Sequence, residues 1–91
     1  MNEGEDKRQV AYAKAQAVKR AHEGALLNKP NVALVGVGLL QKDGKQTDTV
    51  ALVVMVKEKI PPEQLPLDDL IPAEIDGVPV DVQEARIIKS Q

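Results

Sequence analysis

The fold is decided by residues 31–56, which read NVALVGVGLLQKDGKQTDTVALVVMV. Two stretches rich in β-branched and aliphatic residues, at about 32–41 and 49–58, flank the turn signal KDGK at 42–45. This pattern predicts an antiparallel hairpin. Both stretches carry apolar residues on both strand faces, which is typical of strands that are covered on both sides. We therefore expect a partner surface on each face of the sheet.

The residues before the hairpin favour a helix from Asp6 to Leu27, because they are strong helix formers. Asn28 tolerates a left-handed cap conformation and Pro30 cannot continue the helix, so we expect the helix to end before them. With a period of 3.6 residues, mostly small apolar side chains converge on one side. This predicted stripe consists of Val10, Ala13, Ala17, Val18, Ala21, Gly24 and Ala25, interrupted by Lys14.

Turn and proline signals organise the remainder of the chain. Four prolines between residues 61 and 72 allow only single helical turns. Asp76-Gly77 then predicts a tight turn between short strands near 73–75 and 78–88. We predict an α+β fold in a single domain, with one amino-terminal helix on a small, mainly antiparallel sheet of three or four strands. Its predicted parts are a disordered terminus at 1–5, the helix at 6–27, the sheet region at 31–88 and a tail at 89–91.

Composition argues against several classes of partner. The 91 residues have a formal net charge of −2, which gives no electrostatic reason to bind nucleic acid or an anionic membrane. The amino terminus lacks the basic start and apolar run of a secretory signal. The longest apolar run, from Val50 to Val56, is far shorter than a bilayer span. We therefore expect a cytoplasmic protein with neither nucleic-acid nor membrane partners.

Two glycines in the first strand, Gly36 and Gly38, have two interpretations. A dinucleotide-binding turn needs a third glycine and a following helix, and neither follows here. Glycines two apart share one strand face and leave a groove that small side chains can approach. We predict that the helix lies there, with Ala17 and Ala21 against both glycines. The alternative is a phosphate or peptide ligand that passes over the glycines.

Catalytic residue types are scarce in this chain. It contains no cysteine, its one serine is Ser90, and its one histidine is His22. A nucleophile needs an adjacent base, and a lone histidine cannot form a typical zinc site. We predict no enzyme activity, no catalytic residues, no metal and no cofactor. Five acidic residues in the carboxyl-terminal third lack the ordered spacing of a calcium loop; they are Asp68, Asp69, Glu74, Asp76 and Asp81.

The order of these elements from Lys29 to Ala85 resembles a known family. It contains a strand with VGVG, the strand ALVVMV, a proline-rich link and the hairpin IDGVPVDV. Together they resemble the amino-terminal region that precedes the catalytic domain in bacterial trypsin-like serine proteases. The protease domain itself is not in this chain, so no catalytic residue is carried over. The resemblance implies an accessory, propeptide-like domain that packs against another domain.

These observations predict a non-catalytic protein-interaction or oligomerisation module. We expect a homo-oligomer, or docking on a protease-like protein, through the sheet face that the helix leaves free. A small-ligand or peptide-binding domain that uses the Gly36/Gly38 groove is the alternative. If the glycine face holds the helix, the predicted interface residues are Val35, Val37, Leu39, Val53 and Met55.

Overall fold

The computed structural model describes residues 3–85 as one long helix on a four-stranded sheet, so the predicted α+β class is confirmed. The helix comes first in the chain, and the proline-rich segment contains two 3-10 turns, Pro62–Gln64 and Leu67–Asp69. The elements are α1 (Glu3–Leu27), β1 (Val32–Lys42), β2 (Lys45–Val56), β3 (Glu74–Ile75) and β4 (Val78–Glu84).

The bounds of the elements differ from the predicted ones mainly at the termini. The helix begins at Glu3 rather than Asp6, so residues 3–5 are helical where disorder was predicted. It ends at Leu27, as the cap and proline signals indicate. The last strand ends at Glu84, and the predicted continuation to 88 and the tail at 89–91 lie largely outside the described residues.

The sheet is mixed, with the strand order β1-β2-β4-β3. The strands β1 and β2 form the predicted antiparallel hairpin, with Gly36 opposite Val53. The strands β2 and β4 are parallel, with Val54 opposite Val82, and β3 pairs antiparallel with β4. A parallel neighbour requires a crossover connection. We call residues 57–73, which carry the chain from the end of β2 towards β3, the crossover segment.

Two tight turns close the antiparallel pairs. Asp43 and Gly44 have φ angles of 54° and 78°, and Asp76 and Gly77 have φ angles of 50° and 83°. Positive φ at both central residues is the requirement of a type I′ turn, whose twist matches that of the flanking strands. The Asx-Gly dipeptides therefore position the strand pairs on either side of them.

The helix packs on the valine-rich face of the sheet, which we call the covered face. Leu52 and Val54 are the largest fully buried side chains there, and the helix contributes Ala15, Val18 and Leu26 to the same core. The covered face is formed by Val35, Val37 and Leu39 of β1, by Val50, Leu52, Val54 and Val56 of β2, and by Val78, Val80 and Val82 of β4.

The predicted helix stripe is wrong in its orientation. Val10 is 69% exposed, and Ala17 and Ala21 are exposed as well. Of the predicted stripe, only Val18 is in the core. Hydrophobic stabilisation grows with the apolar area removed from water. The helix therefore buries more by placing Val18 and Leu26 against the valines than by placing small residues against glycines.

Candidate functional site

The second face of the sheet carries an apolar surface that the helix does not cover, and we call it the open face. It is defined by strand alternation and register, since Leu34 lies opposite Met55 and Gly36 lies opposite Val53. On the other side of β2, Val53 and Met55 lie opposite Asp81 and Gln83 of β4. The open face consists of Leu34, Gly36, Gly38, Val53, Met55, Asp81 and Gln83.

The open face is accessible around Gly36. Leu34 is 55% exposed, and Val53 and Met55 are half-buried. A methyl group added at Gly36 would have no neighbour within 4 Å. A methyl group added at Gly38 would lie 3.3 Å from Cγ2 of Val53, so the Val53 side chain already occupies part of the space above that glycine. The result is a shallow apolar surface, with Leu34 standing beside open space at Gly36.

The structure contradicts the predicted contact between the glycines and the helix. A methyl group added at Gly36 would have no neighbour within 4 Å, and one added at Gly38 would meet Val53 rather than a helix residue. Ala17 and Ala21, the predicted helix partners, are exposed. The helix packs on the valine-rich covered face instead, because that face offers more apolar area to bury.

The predicted interface residues therefore divide between the two faces. Val35, Val37 and Leu39 belong to the covered face beneath the helix, so their assignment to a free face was wrong. Val53 and Met55 lie on the open face. Leu34 was not among the predicted interface residues, although its position two residues before Gly36 places it on the same face. The structure tests where these residues lie and does not test whether they bind a partner.

One end of the open face is closed by the β1–β2 hairpin itself. The register shifts between Leu39 and Gln41, where extra residues of β2 form an irregularity. The backbone N–H of Gln41 donates to Oδ2 of Asp81, on a strand that is not its neighbour, at 3.0 Å. Asp81 is 9% exposed and Ala51 beside it is fully buried. The hairpin therefore bends over this end and leaves the Leu34–Gly36 end open.

A cavity of about 810 Å³ lies at the other side of the molecule, under the crossover segment. Its lining is mostly apolar, and Leu67 at its margin is 86% exposed. The Asn31 side chain is engaged nearby, because it donates to the Glu58 carbonyl and accepts from the Glu58 N–H. The apolar lining residues include Val32, Val56, Ile60, Leu65, Leu70, Ile71 and Val82. Sequence analysis missed this cavity because it depends on the path of the crossover segment.

The titratable residues that sequence analysis weighed do not converge on one site. His22 Nε2 lies 2.9 Å from Asp76 Oδ2 and joins the helix to the β3–β4 turn, and both side chains are more than a third exposed. Asp81 is engaged with Gln41 and with Nε2 of Gln83. Among the side chains that the structure describes, no three His, Asp or Glu residues are grouped so that they could hold a metal ion.

Comparison with known proteins adds no assignment. No protein family matches the chain, and no curated protein matches it. Within the described part of the chain, no helix combines the length and apolar character needed to cross a membrane.

Proposed function

We propose that this chain is a non-catalytic self-association module that works through the open face. The observation that carries the proposal is the accessible apolar surface on the open face, where Leu34 is 55% exposed beside open space at Gly36. Large contiguous apolar patches are uncommon on monomers and mark interaction surfaces. Both strands of the hairpin also carry apolar residues on both faces, a sequence pattern typical of strands that are covered on both sides.

Burial of this surface by a partner contributes favourable free energy before the costs of association are subtracted. Burying about 400 Å² of apolar surface at about 25 cal/mol per Å² contributes roughly 10 kcal/mol before the costs of association. The open face also carries no exposed charge among its defining residues, since its one charged member, Asp81, is only 9% exposed and accepts hydrogen bonds from Gln41 and Gln83. Depletion of charge is the compositional signal of an interface core.

The resemblance to the accessory regions of proteases also supports a protein-interaction module, but it implies a different partner. In that setting the open face contacts a protease-like domain rather than a second copy. The chain's own surface favours self-association, because the exposed part of the open face is apolar and carries no charge, and so needs no complementary charge from another protein.

The test is the solution mass of the wild type and of Met55→Lys, measured by light scattering at several concentrations. Lysine matches the length of methionine and can extend its ammonium to water, so the monomer fold is preserved while the partner face becomes charged. We expect the wild type to associate and Met55→Lys to be monomeric. Leu67→Lys adds the same charge at the crossover and serves as the matched control, with association unchanged. A wild type that is monomeric at every concentration would contradict the proposal.

A second candidate function is the binding of a small apolar ligand in the crossover cavity. Its volume, about 810 Å³, lies within the usual range of ligand pockets, and its lining is mostly apolar. This site replaces the Gly36/Gly38 groove as the place for a small ligand, because the glycines do not line it. Titration with the amphiphilic dye anilinonaphthalene sulfonate, whose aromatic rings bind apolar sites, tests this function. Binding should be weakened in Ile71→Trp, whose larger ring occupies part of the cavity, and retained in Met55→Lys; equal binding by both variants would contradict it.

A further inference from the structure

The two tight turns contain the same dipeptide but differ in their surroundings. Asp43-Gly44 joins β1 to β2, and Asp76-Gly77 joins β3 to β4, with positive φ at all four residues. In an Asp-Gly dipeptide the glycine nitrogen can attack the aspartate carboxyl group, because glycine has no side chain that hinders the approach. The chain therefore carries one reactive dipeptide twice, in the same type of turn.

We infer that Asp43 is a site of spontaneous modification, at which aspartate isomerises to isoaspartate, whereas the fold protects Asp76. The Gly44 nitrogen attacks Cγ of Asp43, and the carboxyl hydroxyl and the amide hydrogen leave together as water. The product is a five-membered succinimide ring. Water then opens the ring at either carbonyl and gives aspartate or isoaspartate, in which the main chain runs through Cβ and Cγ. Water is lost and regained, so the net reaction is an isomerisation that needs no other reactant.

Nothing in the described structure restrains the turn between β1 and β2. Every residue from Gln41 to Gln46 is exposed. Among the described residues, no hydrogen bond or ion pair engages the Asp43 side chain, and a Cβ added at Gly44 would have no neighbour within 4 Å. Ring closure requires the backbone to leave the turn conformation, and local opening costs little where few apolar contacts are buried. This turn can therefore open without loss of the core.

The turn between β3 and β4 is held by its neighbours. Val78, the residue directly after it, is 3% exposed and belongs to the core. Oδ2 of Asp76 lies 2.9 Å from Nε2 of His22 on the helix. The Lys14 ammonium lies beside the turn, 2.9 Å from the position of a Cβ added at Gly77. Opening this turn exposes Val78 and separates Asp76 from the helix, so the reactive conformation is populated less often.

Isoaspartate changes the geometry of the hairpin end, because it adds one backbone carbon to a two-residue turn. A type I′ turn matches its flanking strands only with two central residues of normal length. The pairs Gln41–Gln46 and Lys42–Lys45 adjoin this turn, and the Gln41 N–H also donates to Asp81. Isomerisation should therefore loosen the bent end of the hairpin, with faster amide exchange at Gln41 in the modified chain.

The test is to incubate the folded chain for several weeks in neutral buffer and to map isoaspartate by mass spectrometry. Cleavage after glutamate places the two dipeptides in separate peptides, residues 24–58 and 75–84. Chromatography separates the isoaspartyl forms, and fragmentation locates the modified residue. Isoaspartate should accumulate at Asp43 at least about tenfold faster than at Asp76, the factor that corresponds to the burial of one valine side chain.

Two controls separate the effect of the fold from that of the local sequence. In denaturant the two rates should become similar, since both aspartates precede glycine. His22→Ala should raise the rate at Asp76 by up to about fivefold, the most that an exposed pair contributes, and leave Asp43 unchanged. Similar rates in the folded chain, or no isoaspartate at Asp43, would overturn the inference. A tenfold difference that persists in denaturant would overturn it as well, because the local sequence would then set both rates.

Discussion

The orientation of the helix can be tested by placing the same substitution at two neighbouring alanines. Ala15 has no exposed surface and lies in the core, whereas Ala17 is exposed on the stripe that the sequence favoured. Leucine at Ala15 must fit three more carbon atoms between the helix and the valines, and such overpacking costs about 1–3 kcal/mol. Leucine at Ala17 extends into solvent and should change the free energy of unfolding by no more than about 0.5 kcal/mol. Alanine and leucine have similar helix propensities, so propensity nearly cancels from the comparison.

The assay is urea unfolding of both variants and the wild type at one protein concentration, followed by circular dichroism. Equal slopes with denaturant allow the midpoints to be compared as stabilities. We expect Ala15→Leu to be less stable than Ala17→Leu by about 1–3 kcal/mol. If Ala17→Leu is the less stable variant, the helix lies on the glycine face and the assignment of both faces is wrong.

Four further substitutions test the core, the turn and the bent hairpin by the same unfolding assay. Leu52→Ala removes a fully buried side chain and should cost about 2–5 kcal/mol, so a loss below 1 kcal/mol would contradict its central place. Gly77→Ala places a side chain at a φ of 83° and should cost about 1–2 kcal/mol, while Gly24→Ala in open helix should stabilise by about 0.5–1 kcal/mol. Similar effects at both glycines would argue against the tight turn. Asp81→Ala removes the acceptor of the Gln41 N–H and should cost about 1–3 kcal/mol, with faster amide exchange at Gln41. Unchanged exchange there would show that the hairpin does not bend onto Asp81.

The local elements could be predicted from the sequence because their signals are local. The Asp-Gly dipeptides indicate tight turns through the residues that tolerate positive φ, and Asn28 and Pro30 mark the end of the helix. The alternation of β1 and β2 indicates strands, and the fold class follows from one helix and these strands. None of these signals depends on residues distant in sequence.

The choice of face could not be predicted, because both faces of β1 and β2 are apolar. A period-2 pattern identifies the core face only when the other face is polar. The stripe of small residues on the helix was equally compatible with the glycines, and the deciding quantity was the area buried by Val18 and Leu26. The bent hairpin depends on the pairing of Gln41 with Asp81, which are 40 residues apart in the chain. The open face thus appears only when the strands, helix and hairpin are assembled.

Light scattering behind a sizing column shows directly whether the open face is buried by self-association. The wild type should have a mass near twice 9.9 kDa, and Met55→Lys should have the mass of one chain at the same concentration. Wild type and variant of the same mass at every concentration would contradict burial of the open face by self-association.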